Sequence, residues 1–107
     1  MIAFVHAVTG PSAVRLLLPH VSEATAQLLL RYAWQAAAAL YAAFSHASVS
    51  APTVAVPSDP NALIDAAVAT RDEHAIKFTE ACLREHAQRP GVGYLEAAGR
   101  VVGRLGA

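Results

Sequence analysis

The stretch over residues 22–45 most narrows the folds open to this chain. Leu28, Leu29, Tyr32, Gln35, Ala36, Ala39, Leu40 and Ala43 recur at three- and four-residue spacing, the period of one helix face. Ser22 is a natural N-cap, and Glu23 puts a carboxylate in the first turn, where the helix dipole favours it. A long helix is predicted here. Alanine, the strongest helix former, fills so many of its positions that a second helix can approach closely. The run from 32 to 58 has no Asp, Glu, Lys or Arg, but its apolar part, 32–44, is 13 residues long and contains Gln35. Crossing a bilayer takes about 20 apolar residues. The expectation is a helix buried or covered by protein, with no membrane partner.

The rest of the chain reads as shorter helices. Residues 2–9 are apolar apart from His6 and Thr9, and fit a strand or a short buried helix; Gly10-Pro11 is expected to stop them. Residues 12–20 predict a short helix bounded by Pro11 and Pro19. Residues 46–58, with Ser48, Ser50, Pro52 and Pro57, predict a loop. Asp59-Pro60 supplies an N-cap and a proline at the first helical position, opening a helix to about Ala69. Thr70-Arg71-Asp72-Glu73 reads as a capping box that opens a helix over 71–88, unless the two helices run on as one. Pro90-Gly91 ends it, and a last helix is expected over 92–105. The prediction is an all-α fold, a small array of about five to six helices forming a single unit over 1–107.

Composition excludes several function classes. Eight basic residues balance eight acidic ones and form no cluster, so nothing steers the chain to nucleic acid. Cys82 is the one cysteine, which rules out an intrachain disulfide and suits a reducing compartment. The N-terminal residues lack the basic segment and long apolar core of a signal peptide, so a cytoplasmic location is expected. There is no Gly-rich phosphate loop, no HExxH, no CxxC and no nucleophile elbow.

The side chains that could carry chemistry are few. His74 and Lys77 lie one helical turn apart. On a helical projection they share a face with Phe78, Ala81 and Glu85, opposite Ala75, Ile76, Thr79, Cys82 and Leu83. Two readings stay open: a solvated face, or two side chains directed at one metal. Imidazole suits iron, zinc or copper. An ammonium has no lone pair, so lysine ligates only as a neutral amine or after that amine is carboxylated. His6, within an apolar octet, reads first as a hydrogen-bonded core histidine, with Thr9 near it if the octet is helical. His20, His46 and His86 read as structural. Cys82 reads as an inert buried thiol. Tyr32, Trp34 and Tyr41 take core-like positions, with the walls of an aromatic pocket as the alternative.

Two blocks bear on that choice. His6-Ala7-Val8-Thr9-Gly10-Pro11-Ser12-Ala13-Val14-Arg15, with the run from Trp34 to Tyr41 behind it, resembles the later half of the questin oxidase-like family. Asp72-Glu73-His74-Ala75-Ile76-Lys77-Phe78-Thr79-Glu80-Ala81-Cys82 resembles the same family. The resemblance spans nearly the whole chain. It implies the C-terminal part of a larger helical oxidoreductase acting on anthraquinone-type polyketides. It also implies an O₂-dependent oxidative ring cleavage assisted by iron or NADPH. His6, His74 and Lys77 are then the metal ligands, Lys77 in carboxylated form, and Trp34, Tyr41 and Phe78 bind the aromatic substrate. The remaining histidine ligands of such a site are expected from an N-terminal half or another helical subunit. The other function class is a non-catalytic helical module packed on a partner.

Overall fold

The computed structural model describes residues 2–45, 57 and 59–106, and the described residues are helical with no strand among them. His46 and most of the loop expected over 46–58 lie outside the described residues. The chain divides into two compact units, residues 1–50 and 51–107.

The first unit pairs α1 (Ile2–Leu17), continued by a 3₁₀ turn (Leu18–His20), with α2 (Glu23–Phe44). Gly10-Pro11 does not stop α1; the proline sits inside the helix. An interior proline costs about 3 kcal/mol, yet α1 runs on through it. Val5 and Ser12, seven residues apart and so on one face, are the buried positions of α1. Thr9 Oγ1 donates to the Val5 carbonyl at 3.1 Å, a bond within one helical turn. Phe4 near the start of α1 meets Phe44 at the end of α2 edge to face, ring centroids 6.1 Å apart. The two helices therefore run antiparallel. Ser22 caps α2 as expected, its Oγ accepting from the Thr25 amide at 3.2 Å. Yet α2 has no buried residue at all.

The second unit is a cluster of α3 (Pro60–Thr70), α4 (Glu73–Gln88) and α5 (Tyr94–Leu105), in which each helix packs on the other two. Asp59 caps α3 through Oδ2, which accepts from the Ala62 amide at 3.0 Å, and Pro60 follows it. The sequence pattern places the cap of α4 two residues early. Thr70 closes α3, and the N-cap of α4 is Asp72, whose Oδ1 accepts from the amides of His74 at 2.7 Å and Ala75 at 3.4 Å. Thr70 Oγ1 instead bridges the turn, donating to the Ala67 carbonyl at 2.7 Å and accepting from the Asp72 amide at 3.1 Å. Arg71 between them is left-handed at φ 57°, so the helices are separate. Gly93 at φ 82° starts α5 two residues later than the pattern suggests.

The buried face of α4 differs from the helical projection. Ala75, Phe78, Thr79, Ala81 and Cys82 are buried, facing Leu63 and Ala67 of α3 and Ala98 and Val101 of α5 within the same core. Ile76, placed inward from the sequence, is 39% exposed. The broad face is rotated because α4 is enclosed by two neighbours, which take up Phe78 and Ala81 as well.

Arg71 generates a stability prediction. A side chain in the left-handed region costs roughly 1–2 kcal/mol, and glycine at such a helix end does not incur it. Allowing for the extra freedom of glycine in the unfolded chain, Arg71→Gly should stabilise by about 0.5–1 kcal/mol. Urea denaturation reads this directly, and a midpoint at or below wild type refutes it.

Candidate functional site

The start of α4 gathers four polar side chains, and local capping chemistry explains why. Asp72 stands outside the helix in extended backbone, so its carboxylate folds back over the first amides. Those bonds hold its carboxyl below the usual range: the His74 amide contributes most, burial opposes it, and the Ala75 amide and the His74 ring add to the lowering. The same Oδ1 lies 3.2 Å from His74 Nδ1. A carboxylate only accepts. A neutral imidazole bonded to it therefore carries its proton on Nδ1 and keeps the lone pair on Nε2. The His74 side chain is 31% exposed, neither sealed in the core nor free in solvent.

One turn further, Lys77 Nζ donates to Glu73 Oε2 at 2.7 Å, with both side chains 67% exposed. That bond, then the lysine charge, lowers the Glu73 carboxyl below its usual range. In this arrangement Lys77 is an ion-paired surface group, of the kind worth little to stability because solvent screens it.

The other sequence candidates fall elsewhere. Phe78 is 5% exposed and belongs to the core of the second unit, so it walls no open pocket. His6 is exposed on α1, not a core histidine, and Thr9 spends its hydroxyl on Val5 instead. Trp34 and Tyr41 were expected inward but are 73% and 70% exposed on α2. They stand seven residues apart, two turns along one face. Of the candidates, His74 and Lys77 share one helical turn of α4, while His6, Trp34 and Tyr41 belong to the first unit. Among the described residues, no group of three or more His, Cys, Asp or Glu side chains could hold a metal ion. The donor set of α4 is one oriented imidazole and one amine, a part of a site and not a whole one.

Three features escape sequence reading. Asp72 sits two residues before His74, a spacing that signals a cap but not an imidazole partner. An open apolar groove of about 540 Å³ runs between α3 and α4, lined by Ile64, Val68, Ile76 and Leu83. Thr79 also lines it, and its buried Oγ1 has no hydrogen-bond partner. Finally, among the described residues the helical segment long and apolar enough to cross a membrane, judged by length and composition, is Ile2–His20. Membrane spans, signal sequences and helices covered by protein share that property.

No protein-family profile, curated protein or solved structure matches the chain.

Cys82 is fully buried, and burial pushes its thiol up to about 12. Since the thiolate is the reactive form, an aromatic disulfide reagent at pH 8 should label it only as fast as the second unit opens. Labelling in native buffer at the rate of a free thiol would contradict the burial.

Asp72 also sets an acid limb. Its folded-state carboxyl titrates below its ordinary value of 3.8, so its contribution is present above that pH and is lost as pH falls through the lowered value. Asp72→Asn keeps a capping oxygen but cannot ionise. Its urea midpoint should fall less steeply than wild type from pH 5 towards about 2.5, and superimposable acid limbs would refute the assignment.

Proposed function

We propose that this chain is the C-terminal, metal-ligating part of a questin oxidase-like oxidoreductase, with His74 as its firmest ligand. One observation carries the reading. His74 falls in the family-like block, and its imidazole is held at a rigid helix start by a carboxylate on Nδ1, with Nε2 left for a ligand. Metal-bound histidines commonly donate their second ring nitrogen to a carboxylate in this way. Lys77, one turn on, adds a second donor once its pairing with Glu73 opens and its amine is neutral.

Bound iron with open positions would supply O₂ activation beside an electron-rich quinol or an anthraquinone-type polyketide. The chain's own contribution is narrower. His74 presents a lone pair in fixed orientation, and Asp72 holds that orientation. Trp34 and Tyr41 offer flat, exposed aromatic surface for the substrate or for the polypeptide that completes the chamber. The remaining ligands, and any NADPH-binding part, belong to that polypeptide.

A second reading, a non-catalytic helical module seated on a partner, has its own support in α2. A helix of 22 residues without a single buried position is suited to being covered.

Metal content separates the two. The purified chain, exchanged against excess Fe²⁺ or Co²⁺ and then desalted, should retain metal, and His74→Ala and Lys77→Ala should each lose it. Metal-free wild type under the same treatment would sink the oxidoreductase reading and leave the interaction module.

A further inference from the structure

In α2 the half-buried positions and the largest exposed ones fall on different faces. Ala26, Leu29, Ala33 and Leu40 are half-buried, and α1 is the helix packed beside them. Leu30, Trp34 and Tyr41 are 52%, 73% and 70% exposed. With Ala37 they make a second line at spacings of four, three and four residues, the pattern of a coiled-coil seam. At about 100° per residue, this line lies roughly a quarter-turn around α2 from the first. Helices of a four-helix bundle have that layout, because each packs on two neighbours. From Gln27 to Phe44 no charged residue falls on the line.

The order of sizes along the seam shows what fits it. Leu30, Trp34, Ala37 and Tyr41 lie symmetrically about the midpoint between residues 35 and 36. In an antiparallel pair of α2 helices centred there, Trp34 falls opposite the partner's Ala37, and Leu30 opposite the partner's Tyr41. The indole of each copy meets a methyl of the other. A parallel pair would set Trp34 on the partner's Trp34 and Ala37 on the partner's Ala37, crowding one layer and leaving a void in another. Arg31, the cation beside the seam, would stand about 14 Å along the axis from its counterpart, farther than the Debye length of about 10 Å. Area points the same way. A ring of this kind buries roughly 150–250 Å², so the two rings of each copy, about 70% exposed, supply on the order of 600 Å² together. That is about half of the roughly 1,200 Å² at which stable interfaces begin. Leu30 and Phe44, themselves half exposed, add to it along a seam of about 26 Å.

We propose that the chain forms a homodimer through α2, two copies joining about a two-fold axis near residues 35 and 36 so that their α1–α2 hairpins make one antiparallel four-helix bundle. Such an interface is self-complementary, each residue meeting its counterpart's neighbour and the reverse. The proposal concerns the first unit and stands apart from the metal reading of α4.

Sedimentation equilibrium of the full chain at high micromolar concentration should give twice the 11.2 kDa of one copy. Trp34→Ala should weaken the dimer about 30-fold or more, as loss of a central interface ring does. Trp34→Glu should leave a monomer with unchanged helical circular dichroism, while Gln35→Glu, one residue away but off the seam, should stay dimeric. Trp34 is the chain's one tryptophan, so its emission should move to the red on dilution, with the midpoint found by sedimentation. Spin labels read the register. Labels at Gln35→Cys should lie nearly level, and labels at Ala24→Cys about 35 Å apart along the axis, with Cys82 unlabelled in the core.

A wild-type monomer overturns the proposal and leaves α2 to a different polypeptide. An assembly of more than two copies overturns it as well, and so does a dimer indifferent to Trp34→Glu. Equal label separations at residues 24 and 35 would mean a parallel pair and count against it. Should Trp34→Glu unfold the first unit, Trp34→Ala alone decides: a weaker dimer supports the seam, and unchanged affinity refutes it. Metal retention in the His74 and Lys77 variants bears on none of these readouts, so the two readings fail separately.

Discussion

The turn between α3 and α4 governs the second unit, and three consecutive residues make it. Thr70 ends one helix with its hydroxyl on the Ala67 carbonyl, Arg71 swings the backbone into the left-handed region, and Asp72 opens the next helix with its carboxylate on two amides. No part of this turn is apolar burial. It satisfies backbone groups that both helix ends would otherwise leave unpaired. With the turn in place, Leu63 and Ala67 meet Ala75 and Phe78, and a tight core of mostly small residues forms. The imidazole of His74 takes its orientation from the same carboxylate. The scaffold and the candidate ligand thus depend on one side chain.

How much of this can be read from residues alone follows from how local each signal is. The caps at Ser22 and Asp59 are legible because a cap involves a side chain and an amide three residues away. The cap of α4 is legible in kind but displaced. Thr70 and Asp72 are both good cap residues, and the left-handed Arg71 that chooses between them leaves no compositional trace. Gly10-Pro11 misleads for a different reason: the packing of Val5 and Ser12 lies outside any local window. The face of α4 is misjudged because a projection assumes one neighbour and α4 has two. Of the candidate site, the His74–Lys77 spacing is plain in the sequence. The ring contact of Asp72 is not, since it depends on a side-chain direction that spacing does not specify.

The two units differ in how they bury apolar surface. In the second, Leu63, Ala75, Ala81, Cys82 and Ala98 are at most 1% exposed. In the first, Leu28, Leu30, Tyr32, Trp34 and Tyr41 are all about half exposed or more. Isolated helices are marginal in water and draw most of their stability from packing an apolar face. A paired α1 and α2 with Val5 and Ser12 as their buried positions has little of that support among the described residues. Large exposed apolar patches of this kind commonly mark interaction surfaces.

The proline within α1 has a consequence for how that helix forms. Without an amide proton at Pro11, the carbonyl one turn earlier, at Ala7, loses its helical donor, and the ladder is interrupted at that level. Residues before and after the gap are each too few to persist as free helices. They are joined by the neighbour lying alongside both, so α1 acquires its full length together with α2 and would fray from that midpoint whenever the pair comes apart.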